Sequence, residues 1–222
     1  MDSKELWLGI RQNLTKFDLR LGVATAQGYV SDPRLIAFVA ARYKFVAKML
    51  EGKGKVLELG CGDAFGAPIV AQSVGRLICT DIDEETLSEN ETRCSVFKNI
   101  DFVYADFREK PFDEQCDAIF SVDVIEHIFQ EEEDRLMHNL SASLNPEGVM
   151  LIGTPNVNAE KYASENSRAG HVNLKDQSAL KELGLRYFHN VFMFSMNDEV
   201  VHTGYAPMSH YIWALCVGQK VI

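Results

Sequence analysis

The stretch Val56-Leu57-Glu58-Leu59-Gly60-Cys61-Gly62-Asp63-Ala64-Phe65-Gly66 constrains this chain more than any other. Apolar residues at 56, 57 and 59 suit a strand covered on both faces, as in a parallel sheet. Glycines at 60, 62 and 66 let backbone approach a ligand where a Cβ would collide. A buried strand that stops in a glycine-rich turn and opens a helix is the nucleotide-site architecture of doubly wound α/β proteins.

The remaining pattern repeats that unit. Strand-like runs are predicted at 76–81, 100–106, 116–122 and 148–154, alternating with helices over 32–50, 68–74 and 84–94 and a helix carrying Glu131-Glu132-Glu133-Asp134 that ends near Asn145-Pro146. Asp32-Pro33 reads as an N-cap and first helical position, and the acidic run reads as a solvated helix face. Parallel neighbours need a crossover, so alternating units imply a mostly parallel sheet. Two further runs, 191–196 and 210–217, are separated only by a loop and read as an antiparallel hairpin. The expected fold is therefore a doubly wound, seven-stranded, mostly parallel α/β sheet with a C-terminal hairpin. Residues 1–33 are expected to be a helical cap segment and 34–222 the main domain.

Composition narrows the function. A chain of 222 residues with 46% hydrophobic content can bury roughly 70% of its unfolded surface. A net charge of −10 works against the basic surfaces that hold nucleic-acid phosphates. Five scattered cysteines without a CxxC pair are expected to be buried, reduced thiols of a cytoplasmic protein. The polar, acidic start lacks a signal-peptide pattern, and no apolar run approaches the roughly 20 residues of a membrane helix.

Acids mark the strand ends. Asp81 lies about 20 residues past the glycine turn, where nucleoside binders place a carboxylate for ribose hydroxyls, and Asp106 ends the third strand. A dinucleotide fingerprint would need glycine or alanine at 65, and Phe65 would obstruct the close helix and strand packing around a pyrophosphate. Asp81-x-Asp83 makes a poor magnesium site when its carboxylates serve a ribose, so no metal ligand is assigned.

Glu58-x-Gly60-x-Gly62, the acids ending the second and third strands, and five βα units closed by a hairpin resemble the class I S-adenosylmethionine-dependent methyltransferases over about residues 34–217. Asp123-Val124-Ile125-Glu126-His127-Ile128, Leu144-Asn145-Pro146-Glu147-Gly148 and Gly153-Thr154-Pro155-Asn156 resemble the small-molecule branch that includes ubiquinone-pathway O-methyltransferases. Ala64 stands where that family usually has a third glycine. The resemblance implies an S-adenosylmethionine cofactor, with S-adenosylhomocysteine as product. Glu58, Gly60, Cys61 and Gly62 would hold the amino-acid tail, Asp81 with Ile82 the ribose, Asp106 with Phe107 the adenine, while Ser121 and Asp123 would line the methionine and substrate side. Glu126 and His127 are expected only to anchor their helix.

Methyl transfer is an in-line displacement in which positioning does much of the work, aided by a base where the acceptor must lose a proton. Asp123, His171 and His202 are the catalytic candidates, with His210 a weaker one. If the first strand of the hairpin runs parallel to the preceding five, the loop 197–208 lies over the substrate side. Its Asp, Glu, His, Thr and Tyr suit a small hydroxylated acceptor such as a sugar or sugar nucleotide. Ser121-Val122-Asp123-Val124 lacks the Asn/Asp-Pro-Pro-Tyr/Phe tetrapeptide of amino-methylating nucleic-acid enzymes. A protein or nucleic-acid methyltransferase, or a non-catalytic cofactor-binding partner subunit, is the alternative. Either a monomer or a homodimer is compatible with the sequence.

Overall fold

A computed structural model describes residues 1–221. Its centre is β1 (Lys55–Leu59), in which every residue after Lys55 is buried. β1 lies parallel to β2 (Arg76–Asp81) on one side and to β4 (Cys116–Val122) on the other. β3 (Ile100–Tyr104) extends the sheet beyond β2, and β5 (Leu144–Pro155) extends it beyond β4. The strand order therefore reverses between β1 and β4, which opens a crevice at the carboxyl edge.

Period-2 alternation along β1 and β4 divides the core. Val56, Cys79, Ala118 and Phe120 pack under α3 (Leu35–Met49) and α4 (Ala67–Ala71), with Tyr43, Val46 and Leu50 supplied by α3 and the residue following it. Leu57, Ile119, Met150 and Ile152 pack on the other face against Leu136, Met137 and Leu140 of α6 (Gln130–Ala142). Between β2 and β3 lies α5 (Glu84–Arg93), capped by Asp83, whose Oδ1 accepts the Glu85 and Thr86 N–H groups at 3.1 and 3.2 Å. All five cysteines are buried and free.

The C-terminal strands β6 (Phe188–Asn197) and β8 (Tyr211–Gln219) are antiparallel, and β8 also pairs antiparallel with β5. Between them a short β7 (Val200–His202) pairs with the outer edge of β6, making eight strands in the order β3-β2-β1-β4-β5-β8-β6-β7. The loop expected to run freely over the substrate side is thus divided. Residues 197–202 fold back at the sheet edge through a turn with Asp198 at φ 49°, and residues 203–210 return toward the carboxyl edge.

Three further departures have local causes. Two helices, α7 (Glu165–Gly170) and α8 (Gln177–Tyr187), occupy the segment before β6 where no element was expected. Leu180, Leu183 and Tyr187 at i, i+3 and i+7 seat α8 on the second core face, and Asp176 caps it through the Ala179 N–H at 2.8 Å. α3 begins at Leu35, because Asp32 and Pro33 form a preceding turn in which Asp32 accepts the Arg34 N–H at 3.1 Å. The acidic run is not a solvated face throughout: Glu133 is buried and ion-paired with buried Lys175, and Asn173 also donates to it at 2.8 Å.

The amino-terminal segment forms α1 (Ser3–Gln12), which buries no residue, and α2 (Val23–Ser31). α2 is tied to the glycine turn, since Asp63 accepts the Thr25 N–H at 2.7 Å and its hydroxyl at 2.8 Å. The boundary expected after residue 33 thus falls between two helices that both pack at the turn. No helix among the described residues is long and apolar enough to cross a membrane.

Candidate active site

The glycine turn takes its shape from left-handed backbone. Gly60 and Gly62 have φ of 67° and 49°, and a Cβ on Gly60 would lie 2.6 Å from the Val124 Cγ2 atom. Ala64 adopts φ 53° without glycine. Asp81 fastens the turn to the end of β2. Its Oδ2 accepts the Gly62 N–H at 2.9 Å, while Oδ1 accepts those of Ile82 and Asp83 at 2.8 and 3.2 Å.

Above this edge lies a cavity of about 340 Å³ lined by Gly60, Gly62, Asp81, Ile82, Asp106, Phe107, Asp123 and His127, among others. Ile82 is exposed and offers an apolar wall beside the Asp81 carboxylate. Asp106 is engaged from its own turn: Arg108 donates to it through its backbone N–H, Nε and Nη2 at 2.9, 2.9 and 2.7 Å. That guanidinium holds the Asp106 carboxyl below the usual carboxylate range.

Three residues assigned to the cofactor from sequence point elsewhere. Glu58 is fully buried on the α3 face, accepting the Tyr43 hydroxyl at 2.7 Å and the Cys79 thiol at 3.2 Å. Burial raises its pKa to about 7 against the lowering effect of these two donors. Alternation along β1 dictates this, because Glu58 shares the face of Val56 and not that of Leu59. Cys61 turns its sulfur into the core beside Asn90, and Ser121 is buried on the α6 face near Leu59 and Leu136.

A second cavity, about 420 Å³, lies over the end of β5 and is lined by Arg42, Asn156, Glu160, Tyr162, His171 and His210, among others. The two cavities meet at an ion pair. Asp123, in left-handed backbone at φ 58°, accepts Arg42 Nη1 at 2.5 Å, and the Arg42 guanidinium lies 4.1 Å from the centre of the Tyr211 ring. Asp123 Oδ1 is buried without a hydrogen-bond partner among the described residues.

Beside this pair stand Glu126 and His127, in the single 3-10 turn 125–127 after β4, and His171 at the end of α7. The Glu126 carbonyl accepts the N–H groups of Val172 and Asn173 at 2.9 and 3.0 Å, which fixes the loop that carries His171. The His127 and His171 ring centres are 5.3 Å apart. Burial and the neighbouring Asp123 raise the Glu126 carboxyl well above its ordinary range, while burial and His127 lower the His171 imidazole. His202 is placed apart, on β7, with Nε2 2.9 Å from Asn197 Oδ1 and Nδ1 accepting the Gly204 N–H at 3.0 Å. His210, not His202, reaches the second cavity.

Sequence reasoning passed over Arg42 and gave Glu126 and His127 only an anchoring role. A lone arginine in the apolar α3 pattern, one residue before the buried Tyr43, was the available signal for the first.

Residues 56–148 match the family model described as a methyltransferase domain. The chain resembles that family over these 93 of its 222 residues. Its fold is the α/β Rossmann-like methyltransferase fold, and solved structures superpose on most of the chain. The N-methyltransferase NodS from Bradyrhizobium japonicum WM9 aligns with TM-score 0.62 at 15% identity, covering 85% of this chain and 98% of that one. The DhpI-SAH complex aligns with TM-score 0.64 at 16% identity, covering 88% and 92%. A probable S-adenosylmethionine-dependent methyltransferase of Mycolicibacterium smegmatis is 31% identical over 115 residues, which span 51% of this chain and 42% of that protein. The chain thus matches less than half the length of that relative.

Proposed function

We propose that this chain binds S-adenosylmethionine in the 340 Å³ cavity and transfers its methyl group to a small hydroxylated acceptor held in the adjoining 420 Å³ cavity. The observation that carries the reading is Asp81: its carboxylate closes the glycine turn by accepting the Gly62 N–H and remains on the cavity wall. That arrangement presents backbone of the turn and a hydrogen-bond acceptor side by side, as the amino-acid tail and ribose of the donor require. Ile82 offers apolar surface to adenine, whereas Phe107, expected from sequence to meet the adenine, is buried in the core against Phe112. The Asp106 carboxylate, already ionised by Arg108, serves as acceptor for the exocyclic amine.

Glu58 supports the site from behind, holding α3 to β1 and β2 through Tyr43 and Cys79, and the tail is left to Gly60 and Gly62. Asp123 sits where the cavities meet, and Arg42 fixes one of its oxygens. The other oxygen is buried without a hydrogen-bond partner among the described residues, and a small side-chain rotation would turn it to the acceptor. His171 and His210 line the acceptor cavity with Asn156, Glu160 and Tyr162, a set that pairs readily with hydroxyls. The motifs at 123–128 and 153–156 that resemble ubiquinone-pathway O-methyltransferases favour oxygen as the methylated atom, and sugars or sugar nucleotides are the acceptor class that fits a polar lining. The acidic charge and the lack of an amino-methylating tetrapeptide support a small-molecule acceptor over a nucleic acid.

Labelled S-adenosylmethionine offered with a panel of sugars, sugar nucleotides, phenols and amines tests the acceptor. Label in hydroxylated sugars, lost in Asp123→Asn, is the expected result. Label confined to amines or phenols refutes the sugar assignment.

A further inference from the structure

We propose that Glu126, His127 and His171 bind a divalent transition-metal cation between the donor and acceptor cavities. Its catalytic use rests on the methyltransferase reading above. One ligand atom from each residue lies within 4.8 Å of the other two. Donors on a shared ion at about 2.0 to 2.2 Å are no more than about 4.4 Å apart. Around a tetrahedral ion the spacing is about 3.3 to 3.6 Å, so side-chain movements totalling up to about 1.5 Å close the set.

Glu126 and His127 already have the outer partners that such a site needs. Glu126 Oε2 accepts the Thr154 hydroxyl at 3.0 Å. Its Oε1 is buried with no hydrogen-bond partner among the described residues, in a side chain with no exposure at all. His127 Nδ1 lies 2.8 Å from the Gly170 carbonyl oxygen, so Nδ1 carries the proton and Nε2 keeps its lone pair. His171 Nδ1 is likewise buried and without a partner. Buried polar atoms without partners are rare in folded proteins, and here two belong to the same three residues. One cation satisfies both. Its charge also offsets two neighbouring carboxylates, Glu126 and Asp123, whose close cation among the described residues is Arg42.

Two imidazoles and a carboxylate favour manganese, iron, cobalt, nickel or zinc over magnesium or calcium, which prefer oxygen alone. The position gives the ion a task, since His127 lines the donor cavity and His171 the acceptor cavity. An acceptor hydroxyl coordinated there becomes more acidic. Its proton passes to Asp123 Oδ1 and then to solvent. The oxygen lone pair forms the new O–CH3 bond as the C–S bond breaks, and that electron pair stays on sulfur, leaving the donor as a neutral thioether.

Metal-stripped protein titrated with Mn2+ and followed by electron paramagnetic resonance tests the site. The expected result is one bound ion per chain, weakened by about tenfold or more in Glu126→Gln and in His171→Ala. Calorimetry with S-adenosylhomocysteine, on the metal-free wild type and both variants, shows that the variants are folded and tests the donor site separately. Mn2+ left free by a wild type that binds S-adenosylhomocysteine overturns the cation site alone. Mn2+ bound equally by all three proteins overturns it as well. Mn2+ binding that depends on Glu126 and His171 in a protein unable to bind S-adenosylhomocysteine supports the cation site and refutes the donor reading.

Discussion

Glu58→Gln isolates a buried carboxyl at the base of the glycine turn. In the folded chain burial raises its pKa to about 7, from an ordinary value of 4.5. A carboxyl whose folded pKa is raised holds its proton more tightly in the folded state, so it favours folding most below the unfolded pKa and loses that contribution as pH rises through the folded one. The full shift corresponds to about 3 kcal/mol at about 1.4 kcal/mol per unit, and the part lost between about pH 5.5 and pH 8.5 is about 2 kcal/mol. Glutamine keeps an acceptor for the Tyr43 hydroxyl and cannot ionise. Its exchange of the Cys79 contact adds an offset of about 1 kcal/mol that does not vary with pH in this range. Urea unfolding of both proteins at about pH 5.5, 7 and 8.5 is the assay. The variant is expected to gain on the wild type by about 2 kcal/mol across the window. Parallel pH profiles would mean that Glu58 ionises as readily folded as unfolded, and would refute its placement between Tyr43 and Cys79.

Three other substitutions probe the parts that hold the site. Gly60→Ala places a methyl 2.6 Å from Val124 in left-handed backbone, so a loss of about 1 to 3 kcal/mol in unfolding free energy is expected, together with weaker S-adenosylhomocysteine binding. Glu133→Gln leaves Lys175 buried without its counter-charge, and a loss of about 3 to 5 kcal/mol is expected in urea unfolding. Asp63→Ala removes both hydrogen bonds to Thr25, which should raise amide exchange across α2 while core amides of β1 and β4 keep their protection.

The sheet was legible because buried parallel strands and a glycine turn leave strong local marks. Asp81 and Asp106 could be placed at strand ends from spacing alone, and both line the cavity. Glu58 could not be oriented so easily. A motif position gives the residue type, but the face of β1 on which it lies is decided by alternation, and that sends Glu58 into the core with Val56. The His202 reading failed to foresee β7, since three residues of edge strand are too few to announce themselves beside a polar loop. Glu126, His127 and His171 were each visible, yet 44 positions separate the last two in the sequence. The hydrogen bonds from Val172 and Asn173 to the Glu126 carbonyl, together with that between His127 Nδ1 and the Gly170 carbonyl, bring them together. Arg42 was hidden for a similar reason: its partner, Asp123, lies across the molecule from α3 in sequence and against it in space.

The most direct test of the central claim is calorimetric titration of S-adenosylhomocysteine into the wild-type chain and into Asp81→Ala. Binding of one molecule per chain, weakened by about tenfold or more when the Asp81 carboxylate is removed, is the expected result. Equal affinity in both proteins, or no binding heat with either S-adenosylhomocysteine or S-adenosylmethionine at several temperatures, would contradict it.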